Sequence, residues 1–281
     1  MTVTAISTRS SAELCSIAED GARKAGAYLR SVFRSRMIVN YKRDRHDLVT
    51  EHDRASEEII VPLLLEGSPG SRIVGEEGGE RGGSGPVTWY IDPIDGTSNF
   101  AQGIAFFCVV IAAELAGEIV AGAVYDPIAD RMFAAHDSGA FLDGAPLRTG
   151  PAASAEAATL ITGYPTASDL RADGPESLAE FGSLVEAFSS VRRTGSGALT
   201  IAHVAAGWAD SALGSSVNPW DVAASMLILR RAGGEYRPLW YGEGATGADH
   251  CAPGFVALRN GASYPALDAV AEHIVRSREE A

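Results

Sequence analysis

Positive charge is what this sequence has least of. Against 36 acidic side chains stand 23 lysines and arginines, a formal net charge of −13. That balance argues against a protein that embraces nucleic acid through a broad basic face. Small anionic ligands stay open, because bound cations can reverse a local field. Cysteine is scarce too. Cys15, Cys108 and Cys251 are odd in number, far apart and form no C-x-x-C pair, so neither a disulfide framework nor a zinc knuckle is expected and reduced thiols are the simplest account. Long apolar runs are missing: the longest, from Gly103 to Leu115, is too short for a membrane span and ends in charge. The opening "MTVTAISTRSSAEL" has no basic segment followed by an apolar one, so no secretory leader is expected. The expectation is a soluble, cytoplasmic protein with neither a nucleic-acid nor a membrane partner.

What is present describes an ordinary globular chain. With 46% hydrophobic and 21% charged residues over 281 positions, there is material for a proper core in one large domain or two modest ones. Ser10 to Glu13 has the capping-box pattern, followed by apolar residues at helical spacing, which predicts a helix to about Phe33. Thr50 can cap a second helix through "EHDRASEEIIVPLLLE", which Pro62 should kink or end. "SRIVGEE" reads as a short strand and "GGERGGSGP" as a flexible loop, before the strand "VTWYID". Two buried strands follow from Phe106 to Tyr125 with a turn at Ala116-Gly117-Glu118, then a hairpin whose turn is Asp143-Gly144. A weak boundary falls at 152–158. Beyond it, strands in "ATLITGY", "DSALG" and "GFVALRN" mix with helices near 176–189, 197–208, 221–232 and 264–277. Without a regular βαβ period or an internal repeat, this is a layered α/β or α+β sandwich.

Carboxylates gather at the ends of these elements: Asp47 and Asp53 in "DLVTEHD", Glu76 and Glu77 in "GEEGG", Asp92 and Asp95 in "YIDPIDGTSNF", and Asp221 in "PWDVAAS". Oxygen ligands of this kind suit Mg²⁺, which borrows further ligands from a substrate phosphate. A pair of cations about 4 Å apart would relieve the repulsion between Asp92 and Asp95 and clamp an in-line displacement at phosphorus. Each piece has a plainer account. Asp53 fits the first turn of a helix, Glu76-Glu77 a solvated turn, "DPIDG" a tight turn and Asp221 an N-cap. Four unrelated turns explain their joint order poorly. No histidine pair has metal spacing, and no glycine run forms a dinucleotide fingerprint.

"GEE", "YIDPIDGTSNF" and "PWDVAASMLILRRAGG", preceded by "DLVTEHD", together resemble the signature segments of the inositol monophosphatase family, over nearly the whole chain. The resemblance implies a Mg²⁺-dependent, lithium-sensitive phosphomonoesterase. Its implied fold is a five-layered αβαβα sandwich of the inositol monophosphatase and fructose bisphosphatase type, a single domain over 8–278 with halves at about 8–150 and 151–278, assembled as a homodimer. Carried over by segment, Glu76, Asp92 and the Ile94 carbonyl would hold a first metal, and Asp92, Asp95 and Asp221 a second. Gly96, Thr97 and Ser98 would open a phosphate-binding helix. Thr97 and Glu76, with Asp53, would orient and help deprotonate a metal-activated water. Lys42 matches a family lysine near a third, looser metal position, although a solvated basic stretch explains it as well. Ser196 and Gly197 are candidates for substrate contact, with a plain N-cap role open for Ser196.

The resemblance implies one departure. The family carries an acidic residue seven positions before the Trp-Asp aspartate, where it meets inositol hydroxyls; here that position is Gly214. Its loss should weaken polyol recognition and open room for a bulkier or differently charged leaving group. Three readings follow. The first is a phosphatase for a small phosphorylated alcohol or sugar other than, or besides, inositol phosphate, with histidinol phosphate, fructose bisphosphate and phosphoadenosine phosphate among the options. The second is a true inositol monophosphatase. The third is a non-catalytic, partner-binding homologue.

Overall fold

The computed structural model describes residues 9–41, 48–242 and 246–279. Helix α1 (Ser11–Val32) starts where its capping box stands: Ser10 Oγ accepts from the Glu13 amide at 3.3 Å and Glu13 accepts from the Ser10 amide at 2.8 Å. The short pair β1 (Val39–Tyr41) and β2 (Leu48–Thr50) leads into α2 (Glu51–Gly67), capped by Thr50. Pro62 does not end α2, so the termination expected as one of its two effects does not occur. Both Pro62 and Glu58, whose carbonyl loses its helical donor there, are exposed, so water can take the place of the missing N–H.

An eight-stranded sheet comes next: β3 (Arg72–Gly75), β4 (Gly79–Arg81), β5 (Val87–Asp95), β6 (Cys108–Leu115), β7 (Glu118–Asp126), β8 (Arg131–His136), β9 (Gly139–Leu142) and β10 (Ala145–Leu147), with the short helix α3 (Thr97–Gln102) after β5. Two expectations are corrected. The glycine-rich loop contains β4, which closes a hairpin on β3, and the single hairpin after β7 is three strands joined by two turns. The Asp143-Gly144 turn stands as expected, both residues in left-handed geometry (φ 52° and 79°), as do Ala116-Gly117 between β6 and β7 (φ 55° and 86°).

The second half adds a five-stranded sheet from β11 (Thr159–Thr162), β12 (Ser190–Arg192), β13 (Ser211–Gly214), β14 (Glu235–Leu239) and β15 (Gly254–Leu258). Its helices are α4 (Ala167–Ala172), α5 (Glu176–Ala187), α6 (Gly197–Ala205), α7 (Pro219–Arg231) and α8 (Pro265–Glu279).

Period-two burial sorts these elements into layers. In β6, Val109, Ile111 and Ala113 pack with α1 and α2, while Cys108, Val110 and Ala112 pack with α6 and α7. In β15, Phe255 and Ala257 join that same central core, and Val256 and Leu258 face α5 and α8. The result is an αβαβα sandwich of five layers. Helix α7 is buried from Val222 to Leu229 because sheets cover it on both sides, which explains the absence of a polar stripe in its sequence. Among the described residues, no helix is long and apolar enough to cross a membrane.

Candidate active site

Strand β5 is buried along all nine residues, and its register with β6 holds the first decisive feature. Asp92 pairs with Val110 and Asp95 with Cys108, so three steps on β5 oppose two on β6. In a regular strand, residues three apart face opposite sides. The bulge at Pro93-Ile94 restores even parity, so both carboxylates face the α6–α7 layer. It also accommodates a proline in a central strand.

Asp95 meets the start of α6. Its Oδ2 accepts from Ser196 Oγ at 2.5 Å, the Ala198 amide at 2.7 Å and Cys108 Sγ at 3.6 Å, and its Oδ1 from the Gly197 amide at 3.1 Å. Ser196 is also the N-cap of α6, accepting from the Leu199 amide at 3.3 Å, so the N-cap role considered for it holds. Asp221 is not the N-cap of α7. Asn218 takes that place, and Asp221, three residues into the capping box, accepts from the Asn218 amide at 2.8 Å.

Burial leads the electrostatics of this pocket, and crowded negative charge adds to it at Asp92 and Asp221. Burial, then the charges of Glu76, Asp95 and Asp221, push Asp92 well above the usual carboxylate range. Burial also raises Asp95, against the pull of its hydrogen bonds from Ser196 and α6. Asp221 is pushed up to about 8, by burial first, with the charges of Asp95 and Glu76 adding to it against the Asn218 hydrogen bonds. Among the described residues, no three Asp, Glu, His or Cys side chains are drawn around a single point. The four carboxylates are electrostatic neighbours that repel one another.

A second linkage approaches from α2. Asp53 Oδ2 accepts from the Thr50 amide at 2.8 Å and Thr50 Oγ1 at 2.7 Å, and its Oδ1 lies 3.1 Å from Thr97 Oγ1. The same threonine hydroxyl is 2.9 Å from the Ile94 carbonyl. Burial raises Asp53 to about 6 despite the hydrogen bonds from Thr50 and Thr97. Gly96, at φ 97°, turns the chain from β5 into α3, which an L side chain would resist. Ser98 is exposed in the first turn. Glu76 follows β3, its amide bonded to the Ile91 carbonyl at 3.1 Å. The buried Glu57 grips the next two amides, Glu77 and Gly78, at 3.1 and 3.2 Å. Lys42 and Asp47 lie outside the described residues.

Beside these groups is a cleft of about 160 Å³, bordered by Thr166, Ser196, Gly197, Gly214, Ser215 and Phe255. The room expected next to Gly214 is not free. A Cβ there would sit 2.3 Å from Phe255 Cε1, so an aromatic ring occupies the direction a side chain would take. Phe255, Cys108, Glu57 and Asn218 escaped the sequence reading. Asn99 did too; its amide bonds the Phe106 and Thr194 carbonyls, each at 2.7 Å, and ties α3 to the approach of α6. Asn99 lay inside a quoted motif; Cys108 and Phe255 become visible through strand pairing, Glu57 through its grip on the turn after β3, and Asn218 through the capping box of α7.

The profile of the Inositol monophosphatase family matches residues 10–279. The chain belongs to this family. It is 39% identical over 226 residues to "Nus factor SuhB" of Pseudomonas aeruginosa, covering 79% of this chain and 83% of that protein. It is 36% identical over 220 residues to "Inositol-1-monophosphatase" of Synechocystis sp., covering 78% and 76%. Among solved structures, the extragenic suppressor protein suhB of Bartonella henselae superposes with a TM-score of 0.79 at 30% identity, over 93% of this chain and 98% of that one. The αβαβα sandwich is thus a family fold, and phosphomonoester hydrolysis is the chemistry of its class.

Proposed function

We propose that this chain hydrolyses a small phosphomonoester in a Mg²⁺-dependent reaction, the substrate being a phosphorylated alcohol or sugar other than, or besides, inositol phosphate. The observation that carries the reading is the electrostatic crowding of Asp92 by Glu76, Asp95 and Asp221, with the bulge turning both β5 carboxylates to the same side. The donor set fits Mg²⁺, since every candidate ligand is a carboxylate or carbonyl oxygen. Carboxylates that crowd each other's charge favour a cation among them for the same reason that they favour a proton. Glu76, Asp92 and the Ile94 carbonyl would hold one ion, and Asp92, Asp95 and Asp221 a second. Bound Mg²⁺ would supply Lewis-acid charge that lowers the proton affinity of the attacking water and neutralises the leaving oxygen.

The chain's own groups do the rest. Thr97 Oγ1 stands between the site and Asp53. With its affinity raised to about 6, Asp53 can take a proton passed through the threonine near neutral pH. Glu76 orients the attacking water. The amides from Gly96 to Ser98 meet phosphoryl oxygens, as free N–H groups at a helix start do. Ser196 and Gly197 hold Asp95 in place and border the cleft for the alcohol. Phe255 gives that cleft an aromatic wall where a polyol-reading carboxylate is absent, which supports an alcohol other than inositol.

Phosphate release from a panel of phosphomonoesters, with Mg²⁺ and with chelator, tests the reading. Turnover of several substrates only with Mg²⁺ is expected, inhibited by lithium; no turnover of any would sink it. A strict preference for inositol phosphate would sink the substrate half alone. The name Nus factor SuhB of the Pseudomonas relative favours a second reading, a partner-binding role beside catalysis. It predicts that Asp92→Asn still complements deletion of the gene, and failure to complement would remove it.

A further inference from the structure

Arg278, near the end of α8, has a side chain only 12% exposed. Its guanidinium donates to Asp169 Oδ1 at 2.5 Å, to both oxygens of Asp173 at 2.7 Å, and to the Ser215 carbonyl at 2.5 Å. Tyr241 stacks beneath it, 4.9 Å from ring centre to guanidinium carbon, and its hydroxyl reaches the same Ser215 carbonyl at 2.5 Å. The partners lead back to the cleft. Ser215 Oγ donates to Asp169 at 3.0 Å, and Asp169 accepts from both the amide and the hydroxyl of Thr166 at 2.7 Å. Thr166 and Ser215 both border the cleft, one in the segment after β11 and the other in the segment after β13, two adjacent parallel strands.

The cluster is costly to bury. The Asp169 and Asp173 side chains are 1% and 0% exposed, and two carboxylates share one guanidinium. Such groups add little net stability over apolar packing of the same volume. A planar guanidinium fork does fix several acceptors at defined angles, which a lysine ammonium cannot do.

We propose that Arg278 is a positioning residue for the alcohol side of the site, locking the segments 162–166 and 214–217 against each other so that the cleft keeps one shape. The consequence for substrate rests on the phosphomonoesterase reading; the geometric lock does not. Three variants test it: Arg278→Lys, Arg278→Ala and the milder Tyr241→Phe, which removes one hydroxyl from the Ser215 carbonyl. Hydrogen exchange should quicken at 162–169 and 214–217 in Arg278→Lys and less in Tyr241→Phe, with 97–102 unchanged. For the best substrate of the wild-type panel, KM should rise about tenfold in Arg278→Ala and about two- to threefold in Tyr241→Phe, with kcat and inhibition by orthophosphate nearly unchanged. Unchanged exchange in both loops overturns the proposal. So does an equal loss of kcat on every substrate with weakened orthophosphate inhibition, because that pattern is general destabilisation. If the wild type releases phosphate from nothing, the phosphomonoesterase reading falls and the exchange result alone decides the role of Arg278.

Discussion

The strand end at Asp92–Asp95 and the cleft wall at Gly214 border one site but are held on opposite terms. The first is backbone-determined: a fully buried central strand, one bulge, and carboxylates aimed by parity. The second is held by side chains from far along the chain, a ring from β15 at Gly214 and a guanidinium from α8 at Ser215. A site built this way can keep its reaction while its alcohol pocket changes. Altering the pocket needs only substitutions among packed side chains, whereas moving the carboxylates needs a new register.

Breaking the rigid side should give the largest effect. Asp92→Asn should lower turnover roughly a thousandfold, the loss of several kcal/mol of charge stabilisation. The same substitution should raise the melting temperature of the chelated protein, since it replaces a carboxyl whose ionised form burial and the charges of Glu76, Asp95 and Asp221 oppose. Phosphate release and thermal unfolding in chelator check the two halves, and a fall in both would contradict the electrostatic account.

Next in size is the pH dependence of the chelated protein. Asp53 and Asp221 bind protons more tightly folded than unfolded, with folded values of about 6 and about 8. Groups of that sign stabilise the fold fully below about pH 4 and lose that contribution as pH rises through the folded values. Asp53 alone, raised from 3.8 to about 6, accounts for about 3 kcal/mol. The melting temperature in chelator should therefore fall from pH 5 to pH 8.5, and Mg²⁺ should flatten the slope. A rise with pH in chelator would overturn this.

The adaptable side should respond more gently. Gly214→Glu alone should destabilise by about 1–3 kcal/mol through overpacking, because its Cβ would meet Phe255 at 2.3 Å. Paired with Phe255→Ala, it should recover stability and shift the substrate panel toward polyol phosphates; additive losses in the double-mutant cycle would show that the ring and the glycine are not coupled. Smallest is Thr97→Val, expected to cut kcat about tenfold with little change in KM, as one proton-passing contact is worth about 1.4 kcal/mol. Thr97→Ser should retain most of the rate, and a Ser variant as poor as Val would point to the methyl instead.

Local signals explain what was legible. The caps of Ser10 and Thr50 announced α1 and α2, and continuous apolar runs broken by a turn announced β6 and β7. Elements of three exposed or half-exposed residues had no such signal: β4 is exposed throughout and exists because β3 pairs with it. β12 is likewise an edge strand, recognisable only beside β11. Pro62 leaves α2 unbroken because the carbonyl that loses its donor is exposed, and solvent relieves that cost.

By itself, the sequence determined which side chains could do chemistry here, because carboxylates, a glycine turn and helix caps act through neighbours three or four residues away. Only the tertiary structure decided how they meet. Whether Asp92 and Asp95 share a side depends on how many residues of β6 oppose them, and whether Gly214 opens space depends on a phenylalanine 41 positions later. Contacts across such separations are set by register and packing, which no local pattern encodes.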